Sequence, residues 1–194
     1  MSRPLPLRTT SRLWFALACL FAMSPAHSVT DVPYEIEVVK SKRMLLVKNG
    51  VKVEKSFRVS SGRGGRGDKQ KTGDHKTPVG IYRIVQLKDS ETFHVFMQLN
   101  YPNAKDAFWG LKDHRIDRRQ FDAIVQASYA GVVPPQNTPL GGSIGIHGLG
   151  AQSADRLGKH MKVDWTDGCI ALTNEQMEEL RRYISVGTRV VITE

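Results

Sequence analysis

Two residues of this chain, a histidine and a cysteine, are the candidates for nucleophilic catalysis. His147 ends the apolar run Ser143–His147 and is followed by Gly148, and Cys169 follows Gly168 at the start of another apolar run. The thiolate is the reactive form of cysteine, and a free thiol with a pKa near ~8.5 needs a neighbouring imidazole as base or cationic partner. If both runs are strands ending at the same edge of a sheet, imidazole and sulfur come within hydrogen-bond reach. The spacing alone is a weak signal.

The cysteine count raises the question of why Cys169 is present. The chain has two cysteines, and Cys19 lies inside a predicted export signal. After cleavage a single thiol would remain in an oxidising compartment, where it cannot form an internal disulfide. Cys169 is therefore either a buried apolar thiol or a working nucleophile. Gly168 is compatible with the second alternative, because glycine permits a tight turn that leaves main-chain amides free to face an oxyanion.

The N-terminal residues 1–28 have the composition of an export signal. Three arginines precede the eleven-residue apolar run Leu13–Met23, and Ala26 and Ser28 follow at the spacing of a cleavage site. This run is too short to span a bilayer comfortably, and a retained N-terminal anchor is the alternative. We therefore expect an exported, periplasmic protein in which residues 29–194 form one domain, with membrane contact only through an uncleaved signal.

The chain is basic, with 28 lysines and arginines against 19 acidic residues. Signal cleavage would remove three arginines and no acidic residue, so the mature chain stays positively charged. This balance favours an anionic surrounding such as cell wall, membrane surface or nucleic acid. Much of the charge lies in the loop Arg63–Lys76, which is equally well explained as a solvated loop. Gly62, Gly64 and Gly67 match the dinucleotide-binding spacing, but no helical pattern follows them, which excludes that site.

The predicted fold is mainly β. Alternating and β-branched runs predict strands at residues 34–39, 44–47, 51–60, 81–87, 93–99, 143–147 and 188–193. Asn49-Gly50 between the second and third runs predicts a tight hairpin. Many short strands, few helices and no strict βαβ alternation predict a β-sandwich or an open barrel.

Two segments have the apolar periodicity of amphipathic helices. The first is Asp117–Ala130, with Gly131 as its stop, and the second runs from Thr173 to about Ser185. Each begins with a capping box, Asp with Gln in the first and Thr with Gln in the second. The polar stretch between them, Leu149–Val163, is predicted to be irregular, with a helical turn near Ala154.

The residues around the two candidates resemble a known family. Ile146-His147-Gly148 and Thr166-Asp167-Gly168-Cys169-Ile170 are similar to the active-site signature of the L,D-transpeptidase catalytic domain of the YkuD type. In that family a histidine precedes a Ser/Thr-x-Gly-Cys segment. The stretch Gly73-Asp74…Lys76-Thr77-Pro78…Gly80 resembles an upstream part of the same domain. The resemblance covers nearly all of the mature chain and implies a YkuD-like β-sandwich or open barrel with a closing helix and strand.

The resemblance implies acyl transfer on peptidoglycan stem peptides. Cys169 would attack the carbonyl of the third, diamino-acid residue of a tetrapeptide stem and release D-alanine. His147 would act as base and then acid, oriented by the main-chain carbonyl of Gly148, and the amides of Gly168 and Cys169 would hold the oxyanion. An amine of a second stem, or of a wall-anchored lipoprotein, would take the acyl group, whereas water would make the protein a peptidase. We expect no cofactor, no metal and no nucleic-acid partner.

Two positions beside the cysteine depart from the family pattern. Asp167 stands where many members carry a histidine and Ala171 where many carry an arginine, and such positions shape the oxyanion region or hold substrate. Trp165, Thr166 and Asp167 are the candidate substrate-binding residues, although Trp165 is equally well a core residue and Thr166 a turn cap. The helical segment 108–131 resembles an insertion, either a lid beside the site or an added packing element.

Two other classes of protein compete with this interpretation. A zinc hydrolase would use His147, His160, Cys169 and Asp155, but their spacing fits no recurrent zinc pattern. A non-catalytic wall-binding module would use the basic loop. It predicts that Cys169→Ala leaves every activity intact, whereas the enzyme hypothesis predicts loss.

Overall fold

Eight strands and four α-helices form the regular structure of the described residues, which are Met1 and 34–194 of this computed structural model. The strands are β1 (Glu35–Val39), β2 (Met44–Asn49), β3 (Lys52–Arg58), β4 (Gly80–Ser90), β5 (His94–Leu99), β6 (Gly145–His147), β7 (Ile170–Ala171) and β8 (Arg189–Thr193). The helices are α1 (Ala104–Lys112), α2 (Arg118–Ala130), α3 (Ala154–Lys162) and α4 (Asn174–Arg181). The predicted export signal, residues 1–28 with Cys19, lies outside the described residues except for Met1. None of the described helices is long and apolar enough to cross a membrane.

The strands form one mixed sheet in the order β3-β2-β1-β8-β4-β5-β6-β7. All neighbours are antiparallel except the pairs β1–β8 and β6–β7. The chain that follows β3 returns to the opposite edge, where Ser60 pairs with Ala171 and Gly62 with Thr166. These bridges connect the two ends of the sheet, as in an open barrel. The predicted mainly β fold with few helices is confirmed.

Alternating burial explains why the central strands form where the sequence predicts them. In β1, Ile36 and Val38 are fully buried between half-buried neighbours, and in β8 Val190 and Ile192 follow the same pattern. The predicted β2–β3 hairpin is present, and Gly50 in its turn has a φ of 59°. The main core also contains Leu45, Val47, Tyr82, Ile84, Met97, Leu99, Ile146, Ile170, Met177 and Leu180. Two of these belong to α4, so this helix covers the sheet.

The helical segment after β5 begins earlier than the predicted residue 108. α1 starts after Asn103, whose side chain caps the helix in a capping box with Asp106. The residues Tyr101-Pro102-Asn103 interrupt the strand pattern, and the sequence did not predict a helix directly after them. α2 matches its prediction, with a capping box at its start and Gly131 in the left-handed conformation at its end. The two helices enclose a small apolar cluster of their own.

Two helix predictions later in the chain need correction. α3 is a helix of nine residues that Ser153 caps; the prediction placed a helical turn near Ala154 but made the rest of the stretch irregular. Its one buried residue is the polar His160, so the burial of this helix left no apolar signal in the sequence. α4 has the predicted capping box but ends at Arg181 rather than near Ser185, since the next amides bond to carbonyls three residues back.

Candidate active site

The parallel pair β6–β7 brings His147 and Cys169 to one cleft. His147 pairs with Ala171 in the register, and Cys169 lies two residues before Ala171, so the side chains of both candidates face the same side. The sequence suggested that the two residues lie at strand ends on the same edge of the sheet. They do not, because β6 and β7 are parallel and Cys169 precedes β7, whereas His147 ends β6. The strands are only three and two residues long, and both side chains line a cleft of about 530 Å³.

The imidazole of His147 is fixed in orientation. Its Nδ1 lies 2.7 Å from the main-chain oxygen of Gly148, and because a carbonyl only accepts, Nδ1 must carry the proton and donate. Nε2 is then the unprotonated nitrogen. The ring packs against Phe93, with ring centres 4.3 Å apart, and is 3% exposed. This burial lowers the pKa of His147 to about 4, so the ring is neutral at pH 7.

The turn before Cys169 is held by the hydroxyl of Thr166. This hydroxyl donates to the main-chain oxygen of Cys169 at 2.7 Å and accepts from the amide of Gly168 at 3.2 Å. Gly168 has a φ of 133°, and an added Cβ would come within 2.8 Å of the Lys76 oxygen. The Gly168 amide, to which the resemblance assigned an oxyanion contact, is therefore already engaged. The amide of Cys169 has no hydrogen-bond partner among the described residues.

Cys169 is a free, half-buried thiol at the floor of the cleft. Its sulfur donates to the main-chain oxygen of Ser143 at 3.3 Å, and within the described part of the chain it makes no hydrogen bond to the His147 ring. Burial raises the pKa of Cys169 to about 11; the main-chain amide of Gly145 lowers it and the Asp167 carboxylate raises it further. The resting pair is therefore a neutral thiol beside a neutral imidazole.

The glycine-rich loop between β3 and β4 (residues 61–79) packs against the turn that carries Cys169 (residues 166–169). The Thr77 hydroxyl accepts from the amide of Gly62 at 2.8 Å and donates to the Cys169 oxygen at 3.5 Å. A Cβ at Gly62 or Gly64 would collide with main-chain oxygens of residues 74–75, which explains glycine at both positions. Burial would raise the pKa of Asp74, but hydrogen bonds from Lys69 and three backbone amides lower it. The loop therefore supports the turn that carries Cys169 from outside the cleft.

Asp167 and Trp165 occupy different parts of the cleft. The exposed Asp167 carboxylate lies at the rim, 2.9 Å from both Arg63 and His75. The hydrogen bond from Arg63 is the main cause that lowers the pKa of Asp167. Trp165 is half-buried, and its ring centre lies 6.2 Å from that of His147. Sequence reasoning missed the partnership of Asp167 with Arg63 and His75, because these residues are distant along the chain.

Other lining residues of the cleft were also missed, since single polar or aromatic residues on strands carry no sequence signal. They are Lys88, Ser90, Phe93, Phe96, Gln98 and Ser143. The candidate Gly148 is buried, and a Cβ there would lie 2.6 Å from the Phe93 oxygen. Aromatic rings therefore form one wall around the histidine, and polar groups stand near the thiol.

The four candidate zinc ligands do not form one cluster. His147 and Cys169 line the cleft, but Asp155 lies on α3 beside a separate pocket. His160 is fully buried, and its Nδ1 lies 3.0 Å from the Ser60 hydroxyl. In residues 34–194, no three His, Cys, Asp or Glu side chains are placed to hold a metal ion.

Solved structures of low sequence identity share the fold of this chain. The helical cell shape determining protein Pgp2 of Campylobacter jejuni superposes with a TM-score of 0.55 at 22% identity, covering 83% of this chain and 47% of Pgp2. Bd1075 of Bdellovibrio bacteriovorus gives a TM-score of 0.50 at 21% identity, covering 83% of this chain and 48% of Bd1075. At these identities the likeness shows the shared fold.

The family follows from the sequence match. The L,D-transpeptidase catalytic domain family (YkuD) matches residues 33–192, and the chain belongs to this family. It is also 33% identical over 84 residues to the Escherichia coli K12 protein described as "Putative L,D-transpeptidase YafK". That alignment covers 40% of this chain and 34% of YafK, so the chain spans about a third of the curated relative.

Proposed function

We propose that this chain is an exported enzyme that transfers acyl groups on peptidoglycan, with Cys169 as nucleophile and His147 as acid–base group. The observation that supports this most is that both side chains line one cleft, with Nδ1 of His147 held by the Gly148 carbonyl, in a chain of the L,D-transpeptidase family. The proposed signal at residues 1–28 would bring the protein to the periplasm, where stem peptides are accessible.

The first half-reaction begins with two neutral groups. The sulfur turns from the Ser143 carbonyl towards the substrate, and Nε2 of His147 takes the thiol proton as the sulfur bonds to the carbonyl carbon of the third stem residue. The two steps occur together because resting pKa values of about 11 for Cys169 and about 4 for His147 disfavour a free thiolate–imidazolium pair. The bond from that carbon to the nitrogen of D-alanine then breaks. The proton passes from Nε2 to the leaving amine. With a thiol pKa of about 11, the proton must be removed by a base for attack at neutral pH.

The oxyanion that forms in this step needs a donor aimed at it. The amide of Cys169 suits this role, because it is unpartnered among the described residues while the Gly168 amide donates to Thr166. Loss of one such donor typically slows a reaction about 10²–10³-fold. Trp165, Thr166 and Asp167 would contact the substrate from the wall, the turn and the rim of the cleft.

The second half-reaction decides between transferase and hydrolase. A side-chain amine of a second stem, or of a wall-anchored lipoprotein, attacks the thioester carbon and loses its proton to His147. The bond between that carbon and the Cys169 sulfur breaks, and His147 returns the proton to the sulfur. Water in place of the amine gives a tripeptide stem and makes the enzyme a peptidase. The ionised, exposed Asp167 at the rim stands at the mouth through which either acceptor approaches.

The test is to incubate the purified protein with tetrapeptide muropeptides and to separate the products by chromatography with mass spectrometry. Dimers linked between third residues indicate a transferase, and tripeptides alone indicate a hydrolase. Cys169→Ala should abolish both products. His114→Gln is the matched control for His147→Gln, since His114 is an exposed histidine outside the cleft, and it should leave product formation unchanged. Tetrapeptides recovered intact from folded wild-type protein would refute the proposal.

A further inference from the structure

Gln136 lies in the link between α2 and β6 (residues 131–144), and its side-chain amide makes four hydrogen bonds, two of them to residues that line the cleft. Its Oε1 accepts from the amide of Ser143 at 2.6 Å and from Nε2 of Gln98 at 3.1 Å. Its Nε2 donates to the main-chain oxygens of Pro134 at 2.7 Å and Tyr101 at 3.1 Å. Both lone pairs and both hydrogens of the amide are therefore used, which fixes the side chain.

Ser143 is held in an unfavourable backbone conformation. Its φ is 54°, a left-handed value that residues with a side chain seldom adopt without support. The chain approaches the link closely just before it, since a Cβ at Gly142 would lie 2.6 Å from the Gln136 oxygen and 2.8 Å from its Cα. The hydrogen bond from the Ser143 amide to Gln136 is the contact in place to hold this conformation.

The same residue meets the thiol through its other peptide group. The Ser143 carbonyl accepts the hydrogen of the Cys169 thiol at 3.3 Å. A carbonyl oxygen accepts from a thiol but repels a thiolate, so this contact favours the protonated form of the sulfur. The position of the Ser143 carbonyl thus sets the direction of the thiol hydrogen. It also acts on the pKa of Cys169, together with burial and the Asp167 carboxylate, which raise that pKa, whereas the Gly145 amide and Lys69 lower it.

We propose that Gln136 is a positioning residue for the nucleophile: it holds Ser143 in its left-handed conformation and so keeps the Ser143 carbonyl against the Cys169 thiol. Calling Cys169 the nucleophile rests on the proposed function, whereas the chain of contacts from Gln136 to the sulfur does not. The helical segment that precedes the link is thereby coupled to the site through one amide side chain. In this role Gln136 touches neither substrate nor sulfur.

The test is a pH titration of Cys169 in the full chain, followed by the ultraviolet absorbance of the thiolate and by the rate of alkylation with iodoacetamide. Cys169→Ala serves as the blank, and subtracting its signal removes any contribution of Cys19. Gln136→Met keeps the volume and removes every hydrogen bond, and Gln136→Ala removes the side chain. Asn137→Ala is the matched control, since Asn137 is the exposed neighbour in the same link and its side chain makes no hydrogen bond in the described structure.

Both Gln136 variants should lower the titration midpoint of Cys169 by about half to one pH unit, because the group that stabilises the thiol is no longer held. Below the midpoint, alkylation at fixed pH should become roughly 2–4-fold faster, because the larger thiolate fraction is partly offset by the lower nucleophilicity of a thiolate with a lower pKa. Asn137→Ala should behave as wild type. Thermal unfolding of each variant identifies the folded ones, and Gln136→Met decides the matter if Gln136→Ala does not fold.

A folded Gln136→Met variant with the wild-type midpoint and alkylation rate would overturn the inference, and so would an equal shift in Asn137→Ala. The titration needs no peptidoglycan, so its failure is separate from failure of the proposed function. A shifted midpoint together with intact muropeptides would leave Gln136 as a positioning residue and reject the enzyme.

Discussion

Replacing Gly168 with alanine tests the turn that carries Cys169. Gly168 has a φ of 133°, and a residue with a side chain in such a region is strained by about 1–3 kcal/mol. The new Cβ would also lie 2.8 Å from both the Ile144 side chain and the main-chain oxygen of Lys76. The oxygen belongs to the backbone and cannot rotate away, so overpacking adds about 1–3 kcal/mol. We expect Gly168→Ala to lower the free energy of unfolding by about 4 kcal/mol.

Two other glycines separate the strain from the collision. Gly187 has a φ of 97° with no atom within 4 Å of an added Cβ, so Gly187→Ala should cost the strain alone, about 1–3 kcal/mol. Gly158 lies within α3, its φ is not in the positive region, and its surroundings are open. Gly158→Ala should therefore stabilise the protein by about 0.5–1 kcal/mol, because alanine favours the helix.

Urea unfolding followed by circular dichroism measures all three variants under the same conditions. The expected order of stability is Gly158→Ala, wild type, Gly187→Ala and then Gly168→Ala. If Gly168→Ala proves no less stable than Gly187→Ala, the close packing of the turn against the glycine-rich loop is wrong, and so is the reasoning that places Cys169 by it.

Three further predictions concern groups around the site and the core. Thr166→Val should lower the free energy of unfolding by about 1–3 kcal/mol in urea, because two main-chain groups lose their partner, while Thr166→Ser should retain most of the stability; equal losses would contradict this. Lys105→Met leaves the Asp106 carboxylate, whose side chain is 3% exposed, without its ion pair, and should cost about 3 kcal/mol in the same assay; a loss under about 1 kcal/mol would count against it. Burial lowers the pKa of His147 from 6.5 to about 4, so the unfolded chain binds its proton first and stability is lost as the pH falls from 6.5 to 4. Between pH 6.5 and pH 4 the wild type should therefore lose about 3 kcal/mol more of its free energy of unfolding than His147→Gln does. An equal pH dependence in the two proteins would refute the shift.

The fold was predictable where the sequence pattern reports burial. Strands such as β1 alternate because one face is buried, and α2 carries both an apolar stripe and its capping residues. α3 could not be found in this way, since it buries almost nothing but His160. α1 begins with a capping box at Asn103 that a break in the strand pattern concealed.

The site was predictable in its two reactive residues and not in its supporting contacts. Cys169 and His147 are uncommon residue types in a recognisable local pattern. Their supports, the Ser143 carbonyl and the amide of Gln136, are main-chain and neutral groups that any sequence offers. Only the fold brings the Ser143 carbonyl to the sulfur and the Gln136 side chain to Ser143, because the contact depends on a left-handed backbone conformation at a serine. The partners of Asp167 were hidden for the related reason that they lie far away in the chain.

Intact-protein mass spectrometry after mixing with a tetrapeptide muropeptide tests the central claim most directly. The account predicts a covalent adduct on Cys169, release of one D-alanine for each adduct, and no adduct on Cys169→Ala. His147→Gln should form the adduct about 10²–10⁴-fold more slowly, as expected when a general base is lost. Folded wild-type protein that forms no adduct on Cys169 and releases no D-alanine would contradict the account.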